Sequence, residues 1–151
     1  MTRVLFVCLG NICRSPAAEG ILRTMSSAKK QDVDVRSCGL GHWHVGSLPD
    51  SRMRAATQRR GIILSSQAQQ FKIEFFDEFD YILVVDNEVL STLYKYASTP
   101  EHKSKIHLIT EFSTSFVGDE IPDPFYGSEG DFELVLDMLE ESCEGFLNHI
   151  K

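Results

Sequence analysis

The chain has 151 residues, a hydrophobic fraction of 42%, a charged fraction of 25% and a formal net charge of −7 at pH 7. These values are typical of one globular domain that buries its own core, and no repeat or low-complexity tract divides the chain. The acidic balance disfavours nucleic acid or an anionic membrane as a partner, because both attract basic surfaces.

The cysteines are few and scattered: Cys8, Cys13, Cys38 and Cys143. They do not form the dense framework of a small secreted protein, and no Cys-x-x-Cys pair indicates a zinc site. The apolar stretch 4–9 is shorter than a signal-peptide core of roughly 7–15 residues. No stretch approaches the roughly 18 apolar residues of a membrane span. We therefore expect free thiols, a cytoplasmic location, and no metal or cofactor.

Strand and helix patterns alternate along the chain. The apolar run 4–7 predicts a buried strand. Ser15 and Pro16 have the residue types of a helix N-cap and first helical position, and apolar residues then recur at helical spacing up to residue 25. The same criteria predict strands at 33–38, 81–85 and 106–109, helices at 50–60, 87–97 and 132–150, and a loop at 110–130.

This alternation predicts an α/β fold in one domain over residues 1–151. Its sheet should be open, parallel and four-stranded, with helices on both faces, because right-handed crossover helices must lie over the sheet. Ligands of such sheets bind beyond the carboxyl ends of the strands. The segment 8–14 falls there, so we expect a phosphate-binding loop directly after the first strand.

Backbone groups of this loop are the predicted phosphate ligands. Gly10 and Asn11 tolerate the unusual dihedrals that turn successive N–H groups inward around an anion. The helix that follows adds unpaired N–H groups and the positive end of its dipole. The predicted phosphate-binding residues of the loop are Leu9, Gly10, Asn11, Ile12 and Cys13.

Three side chains of the segment have the chemistry of phosphate ester cleavage. The positive field favours the thiolate of Cys8, which could attack phosphorus directly. Arg14 offers a planar fork for two equatorial oxygens. Ser15 is placed to donate a hydrogen bond to the departing sulfur. A buried thiol, a surface cation and a simple N-cap are the alternative, but the surrounding Gly-Asn and Ser-Pro pairs favour the phosphate loop.

The loop resembles that of the low-molecular-weight protein tyrosine phosphatases. It matches their pattern Val-Cys-x-Gly-Asn-x-Cys-Arg-Ser-Pro without a gap and continues into Ala18-Glu19. The resemblance spans essentially the whole chain and includes the segments 43–46, 49–50, 79–83 and 123–127. It implies hydrolysis of phosphotyrosine and small aryl phosphates through a phosphocysteine intermediate.

The resemblance also implies a proton donor. Pro124 biases Asp123 towards an extended conformation in a loop that could fold over the pocket, although an Asp-Pro pair alone is usually only a turn. The matching aspartate of the family is the general acid, so Asp123 is expected to protonate the leaving group and later to activate water.

Substrate preference is predicted from the rim of the pocket. Trp43 and Tyr126 match rim positions of the family and could contact a tyrosine ring, although isolated loop aromatics often only pack the surface. At the loop position of Ile12, isoleucine resembles the tyrosine phosphatases, whereas the related phosphoarginine phosphatases have threonine. We expect phosphotyrosine proteins or peptides as partners, with inorganic phosphate and other oxyanions as inhibitors of a monomeric enzyme.

Further expectations concern oxidation of the site and the support of the phosphate loop. By resemblance to the family, Cys13 could form a reversible disulfide with Cys8, the alternative being a packed structural thiol. Ser66 and Gln69 stand where many relatives have a histidine and an arginine, and that histidine supports the loop asparagine. Its absence leaves open how Asn11 is held. Asp86 is expected to have a supporting role, and Phe125 replaces the first tyrosine of an Asp-Pro-Tyr-Tyr signature.

Three other functions compete with this prediction. A protein-arginine phosphatase is the nearest, and substrate preference or an Ile12→Thr change would separate it. An arsenate reductase would need further relay cysteines, but Cys38 and Cys143 are far apart in sequence. A phosphotyrosine-binding module would be expected to lack Cys8, Arg14 or Asp123, and all three are present.

Overall fold

The computed structural model describes residues 1–151, which form four strands, six α-helices and one 3-10 helix. The strands are β1 (Thr2–Cys8), β2 (Val33–Gly39), β3 (Tyr81–Val84) and β4 (Ile106–Leu108). The α-helices are α1 (Arg14–Ala28), α2 (Ser51–Gln58), α3 (Phe75–Glu78), α4 (Asn87–Tyr96), α5 (Pro100–Ser104) and α6 (Glu129–Ile150). The 3-10 helix is Ile109–Phe112.

The strands form one parallel sheet in the order β2-β1-β3-β4. The chain leaves β1 towards β2 on one side and later returns to add β3 on the other side. Right-handed crossovers in these two directions place their helices on opposite faces of the sheet. Helices α1 and α6 pack against each other on one face. Helix α4, from the crossover in the other direction, contacts β3 and β4. The predicted α/β fold is confirmed.

Strand β1 lies in the middle of the sheet and is buried on both faces. Its residues from Val4 to Val7 have no exposed surface, which explains why the strand is a continuous apolar run without polar alternation. All buried apolar side chains except Ala68 belong to one cluster of 37 residues, so the chain has one core and is one domain.

Several predicted boundaries are wrong by a few residues. Helix α1 begins at Arg14, so Ser15 lies inside the helix and its predicted N-cap role is wrong. Asp50 caps α2 by accepting a hydrogen bond from the Arg52 N–H and is not itself helical. Helix α6 begins at Glu129, three residues before the predicted start, because Asp131 accepts from the Ser128 N–H and closes the first turn.

Three short helical segments were not predicted: α3, α5 and the 3-10 helix. Each has only four or five residues, so none contains enough turns for a helical period to be visible in the sequence. None of the helices combines the length and apolarity needed to cross a membrane.

Helix α6 approaches the 3-10 helix closely at Gly145, which yields a stability prediction. A β-carbon there would lie 1.7 Å from the carbonyl oxygen of Phe112. We expect Gly145→Ala to lower the free energy of unfolding in urea by about 2–3 kcal/mol through overpacking. Gly130→Ala, in the same helix but with its nearest neighbour 3.9 Å away, is the control and should stabilise by at most about 1 kcal/mol. Equal effects would contradict the close approach.

Candidate active site

The candidate site is the turn between β1 and α1, which residues 9–13 form. Asn11 has a left-handed backbone with φ of 57°, and its N–H points at the Cys8 sulfur at 3.2 Å. The neighbouring strand makes room for the turn at Gly39, where a β-carbon would lie 2.9 Å from the Leu9 carbonyl oxygen. Gly39 was not predicted as a site residue, because its role depends on the pairing of β2 with β1.

Cys8 is the last residue of β1 and is 2% exposed. Its sulfur lies 2.9 Å from the hydroxyl oxygen of Ser15, the second residue of α1. When Cys8 is a thiolate, Ser15 must be the donor of this hydrogen bond, because a thiolate carries no proton. Ser15 therefore meets the sulfur from within the helix, which is the contact that the sequence predicted.

The Asn11 side chain holds the turn in place through three hydrogen bonds. Its amide nitrogen donates to the Ser15 hydroxyl at 2.7 Å and to the Ser37 hydroxyl at 3.0 Å. Its oxygen accepts from the backbone N–H of Gln69 at 2.9 Å. A backbone group of Gln69 therefore holds the Asn11 oxygen, and Ser66 forms none of these bonds.

A buried carboxylate orients this network from its far end. Glu19 is buried in α1, accepts from the Ser37 hydroxyl and is paired with Arg23 at 2.6 Å. Since Glu19 accepts, Ser37 uses its proton on Glu19 and receives the Asn11 amide. Ser15 receives the other Asn11 N–H, and its own proton can go to the Cys8 sulfur at 2.9 Å or to the Cys38 carbonyl at 3.3 Å. A Cys8 thiolate is the favoured acceptor, because hydrogen bonds to a charged acceptor are stronger. Glu19 and Ser37 were not predicted as site residues.

Arg14 closes the turn from the first position of α1 and is 4% exposed. Its guanidinium donates to a carboxylate oxygen of Asp86 at 2.8 Å and to the Ile121 carbonyl at 2.9 Å. Burial alone would lower the pKa of Arg14, but the charge of Cys8 and the hydrogen bond to Asp86 raise it above its usual range. The guanidinium therefore stays charged beside the pocket, and Asp86 has the supporting position predicted for it.

Asp123 lies at the mouth of the pocket in the segment 122–127, which we call the acid loop. One of its carboxylate oxygens is 3.9 Å from an Arg14 nitrogen, and the other accepts from the Phe125 N–H at 3.1 Å. The Asp123 side chain is 48% exposed, so water and a substrate oxygen can both reach it. This position is suited to proton exchange with a group bound in the turn.

One pocket brings together every predicted site residue except Ser15, which lies beneath Cys8. The predicted residues that line it are Cys8, Leu9, Gly10, Asn11, Ile12, Cys13, Arg14, Trp43, Asp123 and Tyr126. Trp43 and Tyr126 form an open rim, with exposed fractions of 64% and 95%.

His44 and Phe125 also line the pocket and were not predicted to do so. His44 sits next to Gly10 across the turn, since a β-carbon on that glycine would lie 3.2 Å from its ring. Both residues are sequence neighbours of the predicted rim aromatics, and that adjacency was the signal that could have identified them.

The other three cysteines are buried free thiols. Burial is the largest cause that raises the pKa of the Cys13, Cys38 and Cys143 thiols above the usual range, so they keep their protons at neutral pH. Nowhere in the chain do three or more His, Cys, Asp or Glu side chains come together as a metal site would require.

The site can bind a tetrahedral anion between the turn, the N-terminal end of α1 and a fixed guanidinium. A cysteine sulfur lies at the base of that anion position. An α/β fold with this site has the arrangement of the cysteine-dependent phosphatases.

Comparison with known proteins identifies the family. The profile described as low molecular weight phosphotyrosine protein phosphatase matches residues 3–151. The human protein of that name is 37% identical over 147 residues, which are 95% of this chain and 92% of the human one. This chain therefore belongs to the low molecular weight phosphotyrosine protein phosphatase family.

Two solved structures are similar over nearly their full length. A protein tyrosine phosphatase from Entamoeba histolytica has a TM-score of 0.95 at 36% identity, covering 99% of this chain and 97% of the other. An arginine phosphatase of Drosophila has a TM-score of 0.92 at 35% identity, covering 100% of this chain and 98% of the other. The fold is thus shared by proteins named for two different phosphorylated substrates.

The hydrogen bonds and backbone of Asn11 can be tested separately. Asn11→Gly keeps the positive φ and removes the side-chain bonds, whereas Asn11→Ala removes the same bonds and adds the strain of a left-handed alanine. We expect Asn11→Ala to be less stable than Asn11→Gly in urea unfolding by about 1 kcal/mol. Both variants should lose at least about tenfold in kcat/KM on an aryl phosphate, because the Ser15 donor is no longer oriented. A more stable alanine variant would contradict the left-handed conformation.

Proposed function

We propose that this protein is a protein-tyrosine phosphatase that hydrolyses phosphotyrosine in proteins or peptides, and small aryl phosphates, without a cofactor. The observation that carries the proposal is the convergence of the Cys8 sulfur, the Arg14 guanidinium and the Asp123 carboxylate on one pocket. These groups supply a nucleophile, an anion clamp and a proton donor, which are the components that ester cleavage at phosphorus requires.

The first step forms a phosphocysteine. The Cys8 thiolate attacks phosphorus, the bond from phosphorus to the tyrosine oxygen breaks, and Asp123 gives its proton to the departing oxygen. Arg14 and the inward N–H groups of residues 9–13 bind the equatorial oxygens, on which the charge of the transition state is spread. Because Arg14 is already held by Asp86 at 2.8 Å, little reorganisation is needed when the anion arrives.

The second step releases phosphate. Asp123, now a carboxylate, takes a proton from water while the water oxygen attacks phosphorus and the phosphorus–sulfur bond breaks. The electron pair of that bond returns to Cys8 as a thiolate. The Ser15 hydroxyl, 2.9 Å from the sulfur, stabilises this charge as it develops.

Aromatic surface at the mouth of the pocket supports phosphotyrosine as the substrate. A phosphate bound in the turn would place the attached ring between Trp43 and Tyr126, whose exposed faces can contact it. Ile12 adds an apolar side chain to the lining. An apolar wall favours an aryl group over a guanidinium, because the aryl ring gains by leaving water on that side whereas the guanidinium gives up hydration there.

A protein-arginine phosphatase is the second candidate, because the Drosophila neighbour with that name has the same fold at 35% identity. An arsenate reductase is disfavoured because Cys38 and Cys143 are buried thiols outside the pocket lining. A module that only binds phosphotyrosine would have no need for the nucleophile and proton donor present here.

Phosphate release distinguishes these functions. With a chelator present, we expect the natural chain to release phosphate from a phosphotyrosine peptide with a kcat/KM at least about tenfold above that on phosphoarginine. Cys8→Ser should still bind inorganic phosphate. Its turnover should fall by at least about 10⁴-fold, because the serine hydroxyl is a poor nucleophile here. Activity on phosphoarginine alone would move the assignment to the second candidate, and a vigorous Cys8→Ser enzyme would contradict the mechanism.

The role of Asp123 is tested by the leaving group. We expect Asp123→Ala to lower kcat/KM on phenyl phosphate by about 10²–10³-fold, and to lower it much less on nitrophenyl phosphate, whose anion leaves without a proton. Equal losses on both substrates would show that Asp123 is not the acid.

Redox control of the same site is part of the proposal. A peroxide would oxidise the Cys8 thiolate to a sulfenic acid, and the Cys13 thiol would then attack that sulfur and release water, leaving a disulfide. The support for this step is that both cysteines line one pocket. The disulfide would protect Cys8 from irreversible oxidation until a thiol reduces it.

We propose a cytoplasmic location and a monomeric state. All four cysteines are unpaired, which is the state that a reducing compartment maintains. The pocket is lined completely by residues of one chain, so a second copy is not needed to complete it.

A further inference from the structure

The acid loop is packed against the core through Pro124, which is buried, and Phe125, but few hydrogen bonds fix the position of Asp123. Two hydrogen bonds lie within the loop itself, from the Phe125 N–H to Asp123 and from the Gly127 N–H to the Pro124 carbonyl. The contact between Asp123 and Arg14 is long, at 3.9 Å. The only hydrogen bond donated to residues 122–127 from outside the loop comes from Arg52, whose guanidinium reaches the Phe125 carbonyl at 2.7 Å.

Arg52 is itself fixed in the geometry that this bond needs. Its guanidinium forms a two-pronged pair with the Asp50 carboxylate, at 3.2 Å and 3.0 Å. It also lies against two aromatic rings, 5.4 Å from the centre of Phe125 and 4.9 Å from the centre of Phe132. Arg52 is therefore oriented by a carboxylate and by α6 at the same time.

The other end of this arrangement reaches the phosphate loop. The backbone N–H of Asp50 donates to the Ile12 carbonyl at 2.8 Å. Burial opposes ionisation of Asp50, yet hydrogen bonds from the Arg52 side chain and backbone hold the pKa of that carboxyl below its usual range. The ion pair of Asp50 and Arg52 is thus hydrogen-bonded at one end to the Ile12 carbonyl, beside the anion position, and at the other end to the Phe125 carbonyl, two residues after Asp123.

We propose that Arg52 is a positioning residue that holds the acid loop over the phosphate loop, so that Asp123 stays within proton-transfer distance of the leaving oxygen. This inference rests on the proposed function, because it assigns Arg52 an effect only through the proton donor. Arg52 does not line the pocket and would not touch the phosphate.

The arrangement requires arginine and not merely a positive charge. One planar guanidinium donates hydrogen bonds to the Asp50 carboxylate and to the Phe125 carbonyl. It also packs on two ring faces. A lysine ammonium keeps the charge but has no fork and no flat face, so it can satisfy only some of these partners. Arg52→Lys should therefore reduce the fraction of time for which the acid loop lies over the phosphate loop. The net charge of the site stays the same.

The experiment compares Arg52→Lys with Arg54→Lys. Arg54 lies in the same helix, and its side chain donates only to the Pro49 carbonyl, so it controls for the exchange itself. We expect Arg52→Lys to lower kcat/KM about tenfold on phenyl phosphate and about twofold on nitrophenyl phosphate, with inhibition by inorganic phosphate unchanged. Arg54→Lys should stay within about twofold of the natural chain on both substrates.

The variants are then combined with Asp123→Ala. If Arg52 acts through Asp123, Arg52→Lys should cause no further loss in the Asp123→Ala background, because the group it positions is absent. An independent, multiplicative loss would overturn the inference while leaving the proposed function intact. Equal slowing of both substrates, no slowing, or weaker phosphate inhibition in Arg52→Lys would also overturn it. An Asp123→Ala enzyme as fast as the natural chain would instead refute the proposed acid, and the inference with it.

Discussion

The phosphate loop keeps its shape because the Asn11 side chain uses both N–H groups and its oxygen in hydrogen bonds to three separate segments. The left-handed backbone of Asn11 is unfavourable for most residues. An isolated turn of this sequence would not hold that conformation. The Ser15 and Ser37 hydroxyls and the Gln69 backbone hold it before the substrate binds.

The buried guanidinium of Arg14 is also held by groups of the fold before an anion binds. Arg14 is buried, and a buried unpaired cation would be costly, so Asp86 and the Ile121 carbonyl accept its hydrogen bonds. The other oxygen of Asp86 accepts from the Val89 N–H at the start of α4. The guanidinium is thereby anchored to the end of β3 and to a helix, and its orientation does not depend on the bound anion.

The fold was largely predictable, because β1 to β4 and the long helices each carry their own hydrophobic period. The phosphate loop was also predictable, since its parts lie within a few consecutive residues. The N-cap role of Ser15 was wrong, because a serine before a proline has the same local pattern whether or not its hydroxyl bonds a neighbouring sulfur. Gly39, Ser37 and Glu19 were missed, as their roles depend on β2 lying beside β1.

The sequence by itself determined the alternation of strands and helices, the position of the nucleophile segment at the end of β1, and the family. These properties follow from local spacing, which acts through backbone conformation and apolar periodicity. Only the tertiary structure decided what supports Asn11, what orients Arg14 and what holds the acid loop. Those contacts join residues 58, 72 and 73 positions apart, and no local pattern encodes such pairs until the strand order brings them together.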